Sequence, residues 1–89
     1  MRTIYKYPLQ ITDFQTVKVP AGASPLTAQM QGDQLCLWAM IDTDVKETVD
    51  AVVKIFGTGN PVELDGEWGY MGSVQQSIFV WHVFVGEGR

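Results

Sequence analysis

An all-β fold, a small antiparallel β-sandwich or barrel of about seven strands, is what the sequence predicts, on three observations. Runs rich in β-branched and aromatic residues recur about every 10 residues. Glycine, proline and Asx turn signals separate them. Nine glycines among 89 residues also punctuate the chain too often for a helical bundle. At this length the chain reads as one domain, 1–89. Such a domain buries only roughly 60–65% of its unfolded surface. With 46% hydrophobic and 18% charged residues it is too apolar for disorder.

The elements follow in order. RTIYKYPL (2–9) places Arg2, Ile4 and Lys6 on one face and Thr3, Tyr5 and Tyr7 on the other. Pro8 cannot donate to a ladder, which puts this strand at an edge. QTVKV (15–19) turns Val17 and Val19 one way and Lys18 the other, and PAGASP (20–25) is a turn. LTAQMQ (26–31) sends Leu26, Ala28 and Met30 inward, and Gly32-Asp33 joins it to the next strand as a hairpin. QLCLWAMID (34–42) is apolar on both faces, with Leu35, Leu37, Ala39 and Ile41 opposed to Cys36, Trp38 and Met40. DTDVKETVD (42–50) is the one charge-rich passage and has room for at most one short helical turn near 43–50, capped by Thr43 or Asp44. VVKIFG (52–57) is a strand running into the loop GTGNP (57–61). VEL (62–64) reads as a brief edge piece before an Asp65-Gly66 hairpin. EWGYMGSVQQ (67–76) is a strand with a bulge expected at Gly69 or Gly72. SIFVWHVFVG (77–86) closes the chain as a strand with two apolar faces, and Trp81 and His82 must point to opposite sides of it.

Composition narrows the function. A net charge of −4 argues against duplex nucleic acid, whose binding needs a Lys/Arg surface that displaces counterions. The six basic residues, Arg2, Lys6, Lys18, Lys46, Lys54 and Arg89, are scattered, though a β-fold can gather several around a small anion. One cysteine and one histidine leave no Cys/His zinc site, and a lone Cys36 fits a reducing compartment. Arg2 and Lys6 are not followed by the apolar run of a signal peptide, and no stretch approaches the roughly 18–20 apolar residues of a membrane span. These features lead us to expect a cytoplasmic protein with no membrane contact.

Motifs that specify chemistry are scarce. GTGNP offers backbone N–H groups of the kind that hold phosphate. It lacks the pattern of a P-loop or dinucleotide fingerprint and the following helix, so a plain connecting loop is the simpler reading. His82 without an evident nucleophile and carboxylate reads as a structural or ligand-contacting histidine. Cys36 between Leu35 and Leu37 reads as inert packing. Asp42, Asp44, Glu47 and Asp50 lack the glycine and terminal glutamate of a calcium loop and read as a solvated face. No catalytic residue, metal ligand or cofactor is assigned. The aromatics are more telling: three tryptophans, three tyrosines and four phenylalanines exceed what one thin sandwich hides. The surplus implies a homo-oligomeric interface or stacking platforms for a flat ligand.

TIYKYPLQITD, VPAGASPL, QLCLWAMIDTD, KIFGTGNP and FVWHVF, read in order, resemble a family of short uncharacterised proteins encoded by bacteriophages. The resemblance covers nearly the whole chain and carries no catalytic residues. It implies a context in which small accessory proteins bind something in the host, including signals of antiviral defence. In that context the expectation is a non-enzymatic, homo-oligomeric sponge in the host cytoplasm, which sequesters a small nucleotide immune signal such as a cyclic di- or oligonucleotide. Tyr5, Trp38 or Trp81 would stack on bases, with His82 as a further contact. Arg2 and Lys6, with Lys54, would neutralise phosphates, and Asn60, Gln75 or Gln76 would read base edges. The alternative is a protein-binding inhibitor or structural accessory protein docking on a host or viral protein. A small hydrolase built on His82 is disfavoured by the missing partners.

Overall fold

The computed structural model describes residues 1–87, without the side chain of Glu87; Arg89, one of the six basic residues, lies outside them. Among the described residues there are seven strands and no helix. The strands are β1 (Arg2–Leu9), β2 (Phe14–Pro20), β3 (Ser24–Gln31), β4 (Gln34–Asp42), β5 (Thr48–Gly57), β6 (Gly69–Gln76) and β7 (Phe79–Glu87). They form an antiparallel sandwich of a three-stranded sheet, β1-β4-β3, on a four-stranded sheet, β2-β5-β7-β6. The two sheets do not close into a barrel. They touch edge to edge along β3 and β6, where the Thr27 hydroxyl donates to the Met71 carbonyl at 3.2 Å. The crossover from β1 to β2 is held by Gln15, whose amide nitrogen donates to the Gln10 carbonyl at 2.6 Å and whose amide oxygen accepts the Gln10 N–H at 3.1 Å.

Edge and centre are told apart by proline. The central strands β4, β5 and β7 contain none, whereas β1, β2 and β3, all at edges, carry Pro8, Pro20 and Pro25. The remaining edge strand, β6, is bulged between Tyr70 and Gly72, with Gly72 at φ 110°. Each open edge therefore holds a device that discourages another strand from pairing with it.

The inner faces follow the period-2 pattern. Leu9, Ala28, Leu35 and Leu37 of one sheet pack on Val53, Ile55, Val74, Val83 and Val85 of the other, each at most 6% exposed. Trp81 points inward and packs against this cluster while His82 points out. The molecule is only 15 Å thick along its shortest axis, close to two sheets about 10 Å apart, so it has one apolar layer and little else to hide side chains in.

The segment 43–50, with room for at most one helical turn, forms none: the Asp42 carboxylate takes the Asp44 N–H at 3.0 Å in an Asx turn, and Thr48 to Asp50 already pair with Pro20 to Lys18. Other local expectations need correction. Residues 62–64 form no strand and Asp65-Gly66 no hairpin; both lie in a loop over 58–68, and β6 begins only at Gly69. Leu26 is not inward but 44% exposed, because the register slips between Pro25 and Thr27. Ser77-Ile78 is a turn ahead of β7, with Ser77 at φ 55°. The Gly32-Asp33 hairpin forms as expected, and its Gly-first order suits a type II′ turn with Gly32 at φ 59°.

Candidate functional site

The loop over 58–68 starts at the Gly57 end of β5 and returns to the sheet at Gly69, opposite Val85 on β7. Since Gly57 pairs with Trp81, the loop travels the length of β7 across the outer face of the four-stranded sheet. Trp68 anchors its far end. Its indole N–H donates to the Asp65 carbonyl at 2.8 Å, and its ring covers Gly86, where an added Cβ would sit 3.0 Å from ring carbon. Lys54 lies over the same indole, 5.4 Å from the ring centroid, and its ammonium donates to the Glu63 carbonyl at 3.3 Å.

Between this loop and the sheet is a cleft of about 400 Å³. Phe56, His82 and Phe84 form its floor, Tyr70 one wall, and the segment from Gly57 to Asn60 with Val62 the other. The register explains the gathering: Phe56 pairs with His82, and Tyr70 with Phe84, so all four point outward side by side. Phe56 and Phe84 meet edge to face at 5.9 Å, and Tyr70 lies 5.0 Å from Phe84. His82 is gripped at both ring nitrogens, with the Thr58 hydroxyl 2.7 Å from Nε2 and the Tyr70 hydroxyl 2.8 Å from Nδ1. The Val80 carbonyl, 3.4 Å from the Thr58 hydroxyl, is an alternative acceptor for its one proton. A neutral imidazole uses one nitrogen as donor and one as acceptor here, and an imidazolium would donate to both oxygens. No carboxylate among the described residues lines the cleft. The arrangement fixes a ring in an aromatic basin and leaves Asn60 and the backbone beside Gly59 at its rim.

The residues singled out from sequence do not share one site. His82 and Asn60 line the cleft, and Gln75 sits on the same face two pairs nearer the hairpin tip, with its amide donating to the Ser77 carbonyl at 3.3 Å. Trp81 and Gln76 belong to the inner face, where the indole N–H donates to the Gln76 amide oxygen at 3.2 Å. Arg2, Lys6 and Trp38 lie on the opposite outer face of the molecule, that of the three-stranded sheet. Lys6 reaches from β1 over β4 to the Gln31 amide oxygen on β3. Tyr5 is an inner-face residue at the splayed end of the sandwich, 49% exposed because no strand covers it.

Two further ideas are resolved by position. Cys36 is fully buried on the outer face of the three-stranded sheet, so both sheets separate it from His82 and no Cys-His pair forms. The acidic run disperses: Asp42 and Asp44 hold the Met1 amine at 3.1 and 2.8 Å, and Asp50 holds Lys18 at 2.8 Å. The Asp44 N–H, then the Met1 amine, keep the Asp42 carboxyl below its ordinary range, and the two carboxylates raise the amine. No group of three metal-ligating side chains occurs among the described residues, nor does any helix long and apolar enough to cross a membrane.

Phe56, Thr58, Tyr70 and Phe84 were not singled out from sequence. Phe84 was findable, because two residues after His82 it must share its face. Tyr70 and Phe56 needed the strand register. Neither a curated protein nor a solved structure matches the chain. Its whole length, residues 1–89, matches DUF7352, a domain of unknown function, and the chain belongs to that family.

Proposed function

We propose that this chain is a non-catalytic binding domain, and that the His82 cleft takes the flat base of a small nucleotide. The observation that carries this reading is a concave, aromatic-lined basin with one imidazole held by two hydroxyls at 2.7 and 2.8 Å. Its volume of about 400 Å³ falls in the range of small-ligand sites. Stacking falls to Tyr70, Phe56 and the face of the His82 ring, whose two nitrogens are taken by Thr58 and Tyr70, and edge hydrogen bonds fall to Asn60. A cation on the same face is Lys54, the register neighbour of Phe84. Arg2 and Lys6 project from the other sheet and reach a phosphate here only from a second copy. In the phage setting that the sequence resemblance implies, such a domain holds a host nucleotide signal without altering it.

The test is incubation with cyclic di- and trinucleotides, heat denaturation, and analysis of the released ligand. Unmodified ligand is expected, with binding weakened at least tenfold by His82→Ala and by Tyr70→Ala. Altered ligand makes the domain an enzyme, and absence of binding across the panel removes the nucleotide reading.

A second reading, docking on a host or viral protein, is favoured by the β6–β7 hairpin tip. There Ile78 is 86% exposed and Phe79 53%. An apolar tip of this kind is costly to leave in water.

A further inference from the structure

The sandwich has a second opening, at the end away from the Ser77-Ile78 turn. Large side chains, Leu35, Leu37 and Trp81, fill the space between the sheets near that turn. At the other end Ala39 and Ala51 take their places, and the inner-face residues Tyr5 and Val49 remain 49% and 48% exposed. The sheets splay, and a cleft of about 1140 Å³ runs from this mouth past Val19, Met71 and Val85 to the outer side beside Trp68. It exceeds the volume of an ordinary small-molecule site. Its length suits an extended chain whose alternate side chains enter and leave the groove.

The rim says what kind of chain. Asp65 and Glu67 stand on it and take part in no ion pair among the described residues. The third rim carboxylate, Asp50, is matched by Lys18. Beside them the face of Trp68 already accepts a cation, the Lys54 ammonium, held by a 5.4 Å approach to the ring and one 3.3 Å hydrogen bond. Lys54 marks a place where a partner's lysine or arginine fits, with Asp65 and Glu67 to neutralise it. A second copy of this chain, at net charge −4, is the wrong sign.

We propose that this groove docks an extended basic-apolar segment of a partner protein, an apolar side chain entering between Ala39 and Ala51 and a cation displacing Lys54 from Trp68. It uses a different cleft and another end of the sandwich from the nucleotide reading, with Lys54 as the one residue the two share.

A fluorescein-labelled ten-residue peptide of alternating leucine and lysine, followed by anisotropy, is the probe. Saturable binding is expected that weakens with salt and is absent for the leucine-glutamate counterpart. Ala51→Trp, which fills the mouth, and Trp68→Ala should each weaken it at least tenfold. Lys54→Met should tighten it several-fold, because the displaced competitor is gone, and this variant leaves the packing of the mouth intact. His82→Ala should leave it unchanged. Equal binding of both peptides, indifference to Ala51→Trp, weaker binding by Lys54→Met, or self-association of the chain lost in Ala51→Trp would each overturn the proposal.

Discussion

The two outer faces of the sandwich are built from similar residues and end in opposite states. On the three-stranded sheet, β4 presents Cys36, Trp38 and Met40, and the neighbouring strands close over them. Pro8 and Gln29 flank Cys36 in the register, Lys6 bridges to Gln31, and the thiol is left with no exposure. On the four-stranded sheet, β7 presents His82 and Phe84 to a loop that crosses above them without filling the gap. The first face is covered at Cys36, with Trp38 and Met40 half-buried and Ile4 still 54% exposed, and the other has become a basin. Apolar content alone therefore does not make a site; a covering element held away from the sheet does. Here Gly57, Trp68 and Gly86 hold the loop at its two ends.

That contrast is breakable. The largest effect should come from Trp38→Ala, whose indole is half-buried with its N–H wholly enclosed and without a partner. Urea unfolding should show a loss of about 2 kcal/mol, less than the 3–5 typical of a fully buried aromatic. His82→Ala should cost under about 1 kcal/mol, because water reaches the freed Thr58 and Tyr70 hydroxyls. Equal costs on the two faces would erase the distinction. Next comes Gly57→Ala. Its Cβ would lie 2.9 Å from the Asn60 amide nitrogen and 3.2 Å from the Trp81 ring, so the start of the loop must move. A loss of about 1–2 kcal/mol is expected, with ligand binding lost alongside. Ser77→Gly should act in the other direction, adding up to about 1 kcal/mol, since serine at φ 55° occupies a position that glycine adopts freely. The cleft should be untouched.

The smallest effect is the dependence on pH. The folded Asp42 carboxyl titrates below its ordinary value, so its contribution is present above the unfolded value and fades as pH falls through the folded one. The Met1 amine is raised, so its contribution is present below about 8, its ordinary value, and fades as pH rises beyond it. Both groups are exposed, and only a shallow dome in melting temperature against pH is expected. Asp42→Asn should flatten the acid limb and leave much of the alkaline one, which Asp44 sustains first.

The strands were largely legible in the sequence, because each buried face repeats every second residue; Leu35, Leu37, Ala39 and Ile41 announce the core unaided. The ends were less so. Asp65-Gly66 carries a strong hairpin signal, but Trp68 finds its partners on β7, and tertiary packing overrides the local turn. The site was half legible. Sequence alternation separates Trp81 from His82, yet whether Arg2 and His82 share a face depends on which sheet β1 joins, which local pattern does not encode.

The three tryptophans report on the three regions separately, Trp38 on one outer face, Trp81 inside and Trp68 beside the loop. The most direct test of the His82 cleft is a nitrogen-proton correlation spectrum of the uniformly labelled chain titrated with cyclic dinucleotide, read at the His82 ring, the Asn60 amide and the three indole signals. The account predicts saturable shifts at His82 and Asn60 with Trp38 unmoved. Shifts at Trp38 with His82 unmoved would place the ligand on the opposite sheet and contradict it.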